Sequence, residues 1–198
     1  MERSQITGIL LAGGKSSRMG QEKGLVQFRN RPMIQFGIDL LSNYADRLLI
    51  SSGNPEYDRF GLELVRDQVS GQGPAAGLAA ALRSATTPWC LVVACDLPFL
   101  RPELIDGLLD HACNCQAVLP VHDGVAEPLA ALYHRDLFEV FEKAVAGGNL
   151  ALNRILASCG VAYYDAGRLL DQFPDLFVNF NTMEEMDRYR YLFFEGEE

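Results

Sequence analysis

The chain has 198 residues, 48% of them hydrophobic and 22% charged, enough apolar material for a folded core, which excludes a disordered tail or a fibrous repeat. Its 17 Lys and Arg stand against 26 Asp and Glu, a net charge of −9, so a broad basic surface for nucleic acid is not expected and an anionic ligand has to meet a local positive field. No apolar run approaches the roughly 20 residues that span a bilayer. The start, Met1 to Gln5, carries no long apolar leader segment, so a cytoplasmic protein with no membrane partner is expected.

Ile6–Leu11 is a short apolar run that ends at Ala-Gly-Gly, the pattern of a buried parallel strand handing over to a loop. Met33–Asn43 has helical spacing behind Pro32. Leu48–Ile50 and Leu62–Val65 read as strands. Gly71–Pro74 reads as loop, and the alanine-rich Ala75–Ala85 as helix. Trp89–Ala94 is the clearest buried strand. Pro102–His111 is a helix, and Ala117–Val121 a strand. Asp123-Gly124 is a hairpin-type turn, so Leu129–Tyr133 is expected to return antiparallel. Helices follow at Asp136–Ala146, with Asp136 near its N-cap, and at Leu150–Cys159. Late strands are expected at Val161–Tyr164 and Phe177–Phe180. A terminal helix, Met183–Phe194, is introduced by Thr182 with Glu185 at capping-box spacing. This alternation predicts one domain over residues 1–198. The fold class expected is α/β: a three-layer α/β/α sandwich on a mostly parallel, Rossmann-like sheet with a late antiparallel hairpin.

The segment from Leu11 to Lys23 is the most informative. Gly13 and Gly14 free backbone N–H groups to approach a phosphate. Ser16 and Ser17 add small donors, and Lys15, Arg18 and Lys23 place three cations within nine positions of an acidic chain. A solvated loop with scattered cations would look similar. The dinucleotide pattern GxGxxG is absent, because the glycines are Gly13, Gly14 and Gly20. Walker A fails on spacing, because Ile9 stands where its first glycine belongs.

Asp96 ends the run Leu91-Val92-Val93-Ala94-Cys95 at the carboxyl end of a predicted strand, the edge where open parallel sheets bind ligands. Two readings fit it: a Mg²⁺ ligand beside bound phosphates, or a cap for the turn before Pro98. Asp67 either reaches the same edge or sits in water. Asn179 and Asn181 fall on one face by alternation, and either point into the site or cap the last helix. His111, His122 and His134 do not cluster in sequence; structural roles are expected for all three, with approach to a substrate a second reading for His122. The five cysteines include no CxxC pair and are read as reduced thiols; Cys113-Asn114-Cys115 lacks a second metal-ligand pair.

Four segments together resemble the MobA-like nucleotidyltransferases. They are LAGGKSSRMGQEKGLV (Leu11–Val26), RDQVSGQGPAAGL (Arg66–Leu78), ACDLPFL (Ala94–Leu100) and NFNTMEEM (Asn179–Met186), in the family's order and spanning nearly the whole chain. Within that family the set is most similar to the molybdenum cofactor guanylyltransferases. The resemblance implies the nucleotide-diphospho-sugar transferase type of fold, and transfer of GMP from GTP to molybdopterin with release of pyrophosphate. It implies Leu11, Ala12 and Gly13 at the nucleotide, Gly14 and Arg18 at its phosphates, and Lys23 against the triphosphate. Asp67 would touch the nucleotide, Asp96 would hold Mg²⁺, and Asn179 and Asn181 would lie by the metal or the pterin. Arg18, Lys23 and Asp96 would carry the catalysis. Where the family often has asparagine after the second strand, this chain has Ser51, with Asn54 three places on; Ser51 is then the nucleotide-contact candidate. Where an Arg-Arg pair is common it has Asn149-Leu150, and Glu127-Pro128 replaces a histidine- or glutamine-proline. Same-fold alternatives are a cytidylyltransferase, a sugar-phosphate nucleotidyltransferase, or a nucleotide-binding domain without turnover. Passing on a labile product would suit docking to other molybdenum cofactor biosynthesis proteins.

Overall fold

A computed structural model of the chain describes residues 1–13, 22–66 and 73–192. Its centre is β1 (Ile6–Leu11), every residue of which is buried. Continuous apolar sequence suits a strand covered on both faces. β1 lies between two parallel partners, β4 (Arg47–Ser51) and β6 (Trp89–Ala94), and β5 (Glu63–Val65) adds to the outside of β4. On the other side, β9 (Ala130–His134) is antiparallel to both β6 and β7 (Ala117–His122), and β10 (Val161–Asp165) closes the sheet parallel to β7. The order is β10-β7-β9-β6-β1-β4-β5.

Alternation along the strands divides the apolar core in two. Ile6 and Leu10 of β1 and Leu91 and Val93 of β6 face α1 (Ile34–Leu41) and α3 (Pro102–Asp110). Ile9, Leu11, Cys90 and Val92 face α2 (Gly73–Ser84), α4 (Phe138–Ala146) and α5 (Leu152–Leu156). Each large aliphatic side chain removed from water in this way contributes about 1.5–3 kcal/mol before entropy is charged. Gly8 allows a close approach: a Cβ there would stand 2.4 Å from Leu48 Cδ2 and 3.2 Å from Leu41 Cβ. The expected three-layer α/β/α sandwich is what these residues build.

A third, smaller core lies beyond the sheet edge. The two-residue strands β2 (Gln27–Phe28) and β3 (Arg31–Pro32) pair around Arg29 and Asn30, both at positive φ. This is the tight hairpin geometry that favours asparagine. Phe28 meets Phe36, Phe99 and Phe180 at ring separations of 5.8, 5.7 and 5.0 Å. Val26, Met33 and Met186 complete the buried cluster. It draws together the segment after the first loop, the segment after β6, and α7 (Met183–Leu192).

Local expectations are corrected in several places. Phe177–Phe180 is not a strand; its rings are spent on packing, Phe177 on His122 and Phe180 in the third core, and β10 holds the sheet edge beside β7. The predicted helix Leu150–Cys159 shortens to α5, because Gly148 at φ +77 and Asn149 redirect the chain first. α4 starts at Phe138, after a single turn (Arg135–Leu137), not at Asp136. α2 takes in Gly73 and Pro74, where the sequence pattern suggests loop. The Asp123-Gly124 turn does form, with φ 49° and 76°, but its immediate return is β8 (Val125–Ala126). β9 then crosses to sit between β7 and β6. α6 (Gly167–Gln172) was not foreseen.

Candidate active site

The site is assembled from backbone first. The ends of the parallel strands are tied to one another: Cys95 N–H donates to the Leu11 carbonyl at 3.0 Å, Ala12 N–H to Ser51 at 3.0 Å, and Ser52 N–H to Val65 at 3.0 Å. Ala94 N–H donates to Leu129 at 2.8 Å. Leu11, Ala12, Gly13, Ser51 and Asp96 therefore leave the sheet along one carboxyl edge, in fixed register.

Lys23 opens a single turn (Lys23–Leu25) at this edge. Its Nζ donates to Asp96 Oδ2 at 3.0 Å and to Asn181 Oδ1 at 2.7 Å. Asn181 Nδ2 donates in turn to Asn179 Oδ1 at 3.2 Å. Only 23% of the Lys23 side chain and 18% of the Asp96 side chain are exposed, so water screens this ion pair less than a surface one. Lys23 and Asp96 thus lie together, as a shared anionic ligand requires. Asn179 and Asn181 share a face although no strand holds them.

Each member is held by its neighbours. Gly24 is buried, and a Cβ on it would stand 2.7 Å from Tyr57 Oη and 3.3 Å from Cys95 Sγ. The Lys23 turn can approach only because residue 24 has no side chain. Tyr57 is wholly buried, and burial pushes its phenol well above the ordinary range. Burial and then Asp96 raise the Cys95 thiol, which stays protonated packing rather than a nucleophile. Phe180 N–H donates to the Asp96 carbonyl at 3.3 Å. The capping box at α7 forms as its spacing predicts: Glu185 Oε2 accepts from Thr182 N–H (3.2 Å), and Glu185 N–H donates to Thr182 Oγ1 (3.1 Å). The same Oε2 also accepts from Asn181 N–H at 2.7 Å, so the cap sets the backbone that carries Asn181. Glu185→Ala is expected to lower stability by about 1 kcal/mol and to free Asn181 from Lys23. Urea unfolding of the variant checks the first effect, and nucleotide affinity the second.

Ser51 is buried, and its hydroxyl donates to the Gly77 carbonyl at 3.1 Å. The side chain thus ties β4 to α2, while the Ser51 carbonyl fixes Ala12. Gly14, Arg18 and Asp67 lie outside the described residues. Sequence reasoning did not single out Gly24 or Tyr57. The glycine directly after a candidate lysine was the available signal.

The Asp96 carboxylate and the amide oxygens of Asn179 and Asn181 are hard oxygen donors at one half-buried edge, with the Lys23 ammonium beside them. Among the described residues no cluster of three or more His, Cys, Asp or Glu side chains comes together. One carboxylate does suit Mg²⁺, which usually completes its shell with substrate phosphates and water. No helix among the described residues is long and apolar enough to cross a membrane.

A sequence profile of the MobA-like NTP transferase domain matches residues 8–163. The chain belongs to this family. A Pelotomaculum thermopropionicum protein named "Probable molybdenum cofactor guanylyltransferase" is 33% identical over 191 residues, which cover 95% of this chain and 93% of that one. The molybdenum cofactor guanylyltransferase of Vibrio parahaemolyticus is 29% identical over 196 residues, 97% and 98% of the two chains. The crystal structure of molybdopterin-guanine dinucleotide biosynthesis protein A from Archaeoglobus fulgidus superposes with a TM-score of 0.81 at 27% identity, over 96% of this chain and 99% of that one. The mostly parallel sheet with flanking helices is thus the fold of MobA-like transferases, and the chain is a nucleotidyltransferase.

Proposed function

We propose that this MobA-like transferase is a single catalytic domain that moves GMP from GTP to molybdopterin. The observation that carries the reading is the contact of Lys23 with both Asp96 and Asn181 at the carboxyl edge of the sheet. Names and coverage of its relatives support guanine nucleotide and molybdopterin over the cytidylyl, sugar-phosphate and non-catalytic alternatives.

In the reaction, an oxygen of the acceptor's phosphate forms a bond to the α-phosphorus of GTP. The bond from that phosphorus to the bridging oxygen breaks, and pyrophosphate leaves with the electron pair. No side-chain nucleophile is needed; positioning and charge supply the catalysis. Leu11, Ala12, Gly13 and Gly14 offer main chain to the nucleotide, with Ser51 holding Ala12 in place and Asp67 a further contact. Lys23, with Arg18, meets the triphosphate and offsets charge on the leaving group. Asp96 fits as the protein ligand of Mg²⁺, which when bound neutralises phosphate charge. Asn179 and Asn181 orient Lys23 and the acceptor's phosphate. A cytoplasmic location, near other molybdenum cofactor biosynthesis proteins, suits such a product.

The test is pyrophosphate release with GTP, CTP, UTP and ATP in turn, with Mg²⁺, and with and without molybdopterin. Release is expected only with GTP and molybdopterin together. Equal release with CTP, or none with any pair, rejects the assignment.

A further inference from the structure

The flank of the site beyond Asp96 carries an ionisable pair for which nucleotide binding has no use. β9 is antiparallel to both β6 and β7, so β6 and β7 point the same way, and His122 leaves the end of β7 at the edge that carries Asp96. His122 Nε2 stands 3.2 Å from Glu127 Oε1. The ring lies flat on Phe177, with centroids 4.8 Å apart and planes 8° from parallel. Its Nδ1 is buried and finds no hydrogen-bond partner among the described residues; the exposed Asp123 carboxylate is 3.7 Å away. Phe177 begins the same segment that passes through Asn179 and Asn181 to Lys23.

Glu127 is anchored at both ends of its peptide. Its N–H donates to the Pro120 carbonyl at 3.0 Å, and its own carbonyl accepts from Ala130 N–H at 3.2 Å. Two residues on, Leu129 accepts from Ala94 N–H, beside Asp96. The carboxylate is only partly buried, with 29% of the side chain exposed.

We propose that Glu127 determines specificity for the acceptor by accepting hydrogen bonds from the amino and ring N–H groups of a pterin, with His122 as the residue that positions it. This rests on the guanylyltransferase reading above. With the nucleotide over β1 and β4, the acceptor approaches from the side of β9 and β7. Charge sets its direction. Its phosphate is drawn to Lys23 and repelled by Asp123 and Glu127, so its ring end lies toward β7. A pterin presents its 2-amino group and N3–H side by side, both donors, and a carboxylate offers two acceptor oxygens to match them. An amide offers only one acceptor, so Glu127→Gln is the informative change.

Steady-state kinetics with GTP and molybdopterin supply the first readout. In Glu127→Gln the acceptor KM is expected to rise about tenfold or more, with the GTP KM within about twofold of the parent. His122→Phe keeps an aromatic ring to stack on Phe177 but loses the contact to Glu127. It is expected to shift the same KM and leave the other, a split that a merely structural ring would not produce. The second readout compares 6-hydroxymethylpterin phosphate with its lumazine counterpart, in which oxygen replaces the 2-amino group, by thermal shift without GTP. The parent protein is expected to prefer the pterin by about tenfold or more, and Glu127→Gln to lose that preference. Glu127→Ala replaces the glutamine variant if the latter does not fold. An unchanged acceptor KM, an equal rise in both KM values, or a pterin preference that survives the substitution overturns the proposal. Failure of the parent protein to turn over GTP with molybdopterin overturns the functional reading instead, and the thermal-shift comparison then still tests Glu127 by itself.

Discussion

Asp96→Ala is expected to lower kcat by about two to three orders of magnitude with GTP, molybdopterin and Mg²⁺ saturating, the scale of losing one preorganised charge contact at a reacting phosphate. The carboxylate is placed by main chain on both sides: Cys95 N–H is bound to Leu11, and the Asp96 carbonyl accepts from Phe180. Neither bond involves the Asp96 side chain, so the fold should survive the truncation. Asp96→Asn separates two explanations. The amide keeps the shape and can still accept from Lys23, but lacks the charge that a divalent cation needs. A rate as low as that of the alanine variant assigns the loss to charge. Near-parent pyrophosphate release by either variant would remove Asp96 from the catalytic machinery.

Lys23→Ala is expected to lower kcat/KM for the nucleotide by about a hundredfold or more. Two losses combine here. One is the cation that faces the triphosphate. The other is the bridge that fixes Asp96 against Asn181, made by bonds of 3.0 and 2.7 Å from a single ammonium. Lys23→Met preserves the apolar stem and deletes only the charge, so comparing the two variants divides packing from electrostatics. Lys23→Arg is not expected to rescue. A planar guanidinium does not reproduce a compact ammonium held between two oxygens at a turn already pressed against Tyr57. Full nucleotide affinity in Lys23→Met would contradict the triphosphate role.

Much of the scaffold was legible before the structure. The largely apolar runs of β1 and β6 announced strands buried on both faces, since such runs suit few other places. Thr182 and Glu185 announced the start of α7, because a capping box is closed by near neighbours. Asp123-Gly124 announced a turn for the same reason. Phe177–Phe180 misled, since its apolar and aromatic content is also what packing against His122 and the third core requires. The Arg29-Asn30 hairpin passed unnoticed, because positive φ at an arginine leaves almost no mark in composition.

Sequence alone therefore determined most of the strands and helices, where cations gather in an acidic chain, and that a carboxylate follows the central strand. These depend on periodicity, turn chemistry and charge within a few residues. Only the tertiary structure decided that β9 enters between β6 and β7, and that Lys23 meets Asn181 across 158 positions. It also decided that Glu127 pairs with His122. Contacts of that kind depend on which buried faces find each other in three dimensions. For Lys23 and Asn181, an aromatic cluster beyond the sheet edge and the bare Cα of Gly24 support the meeting.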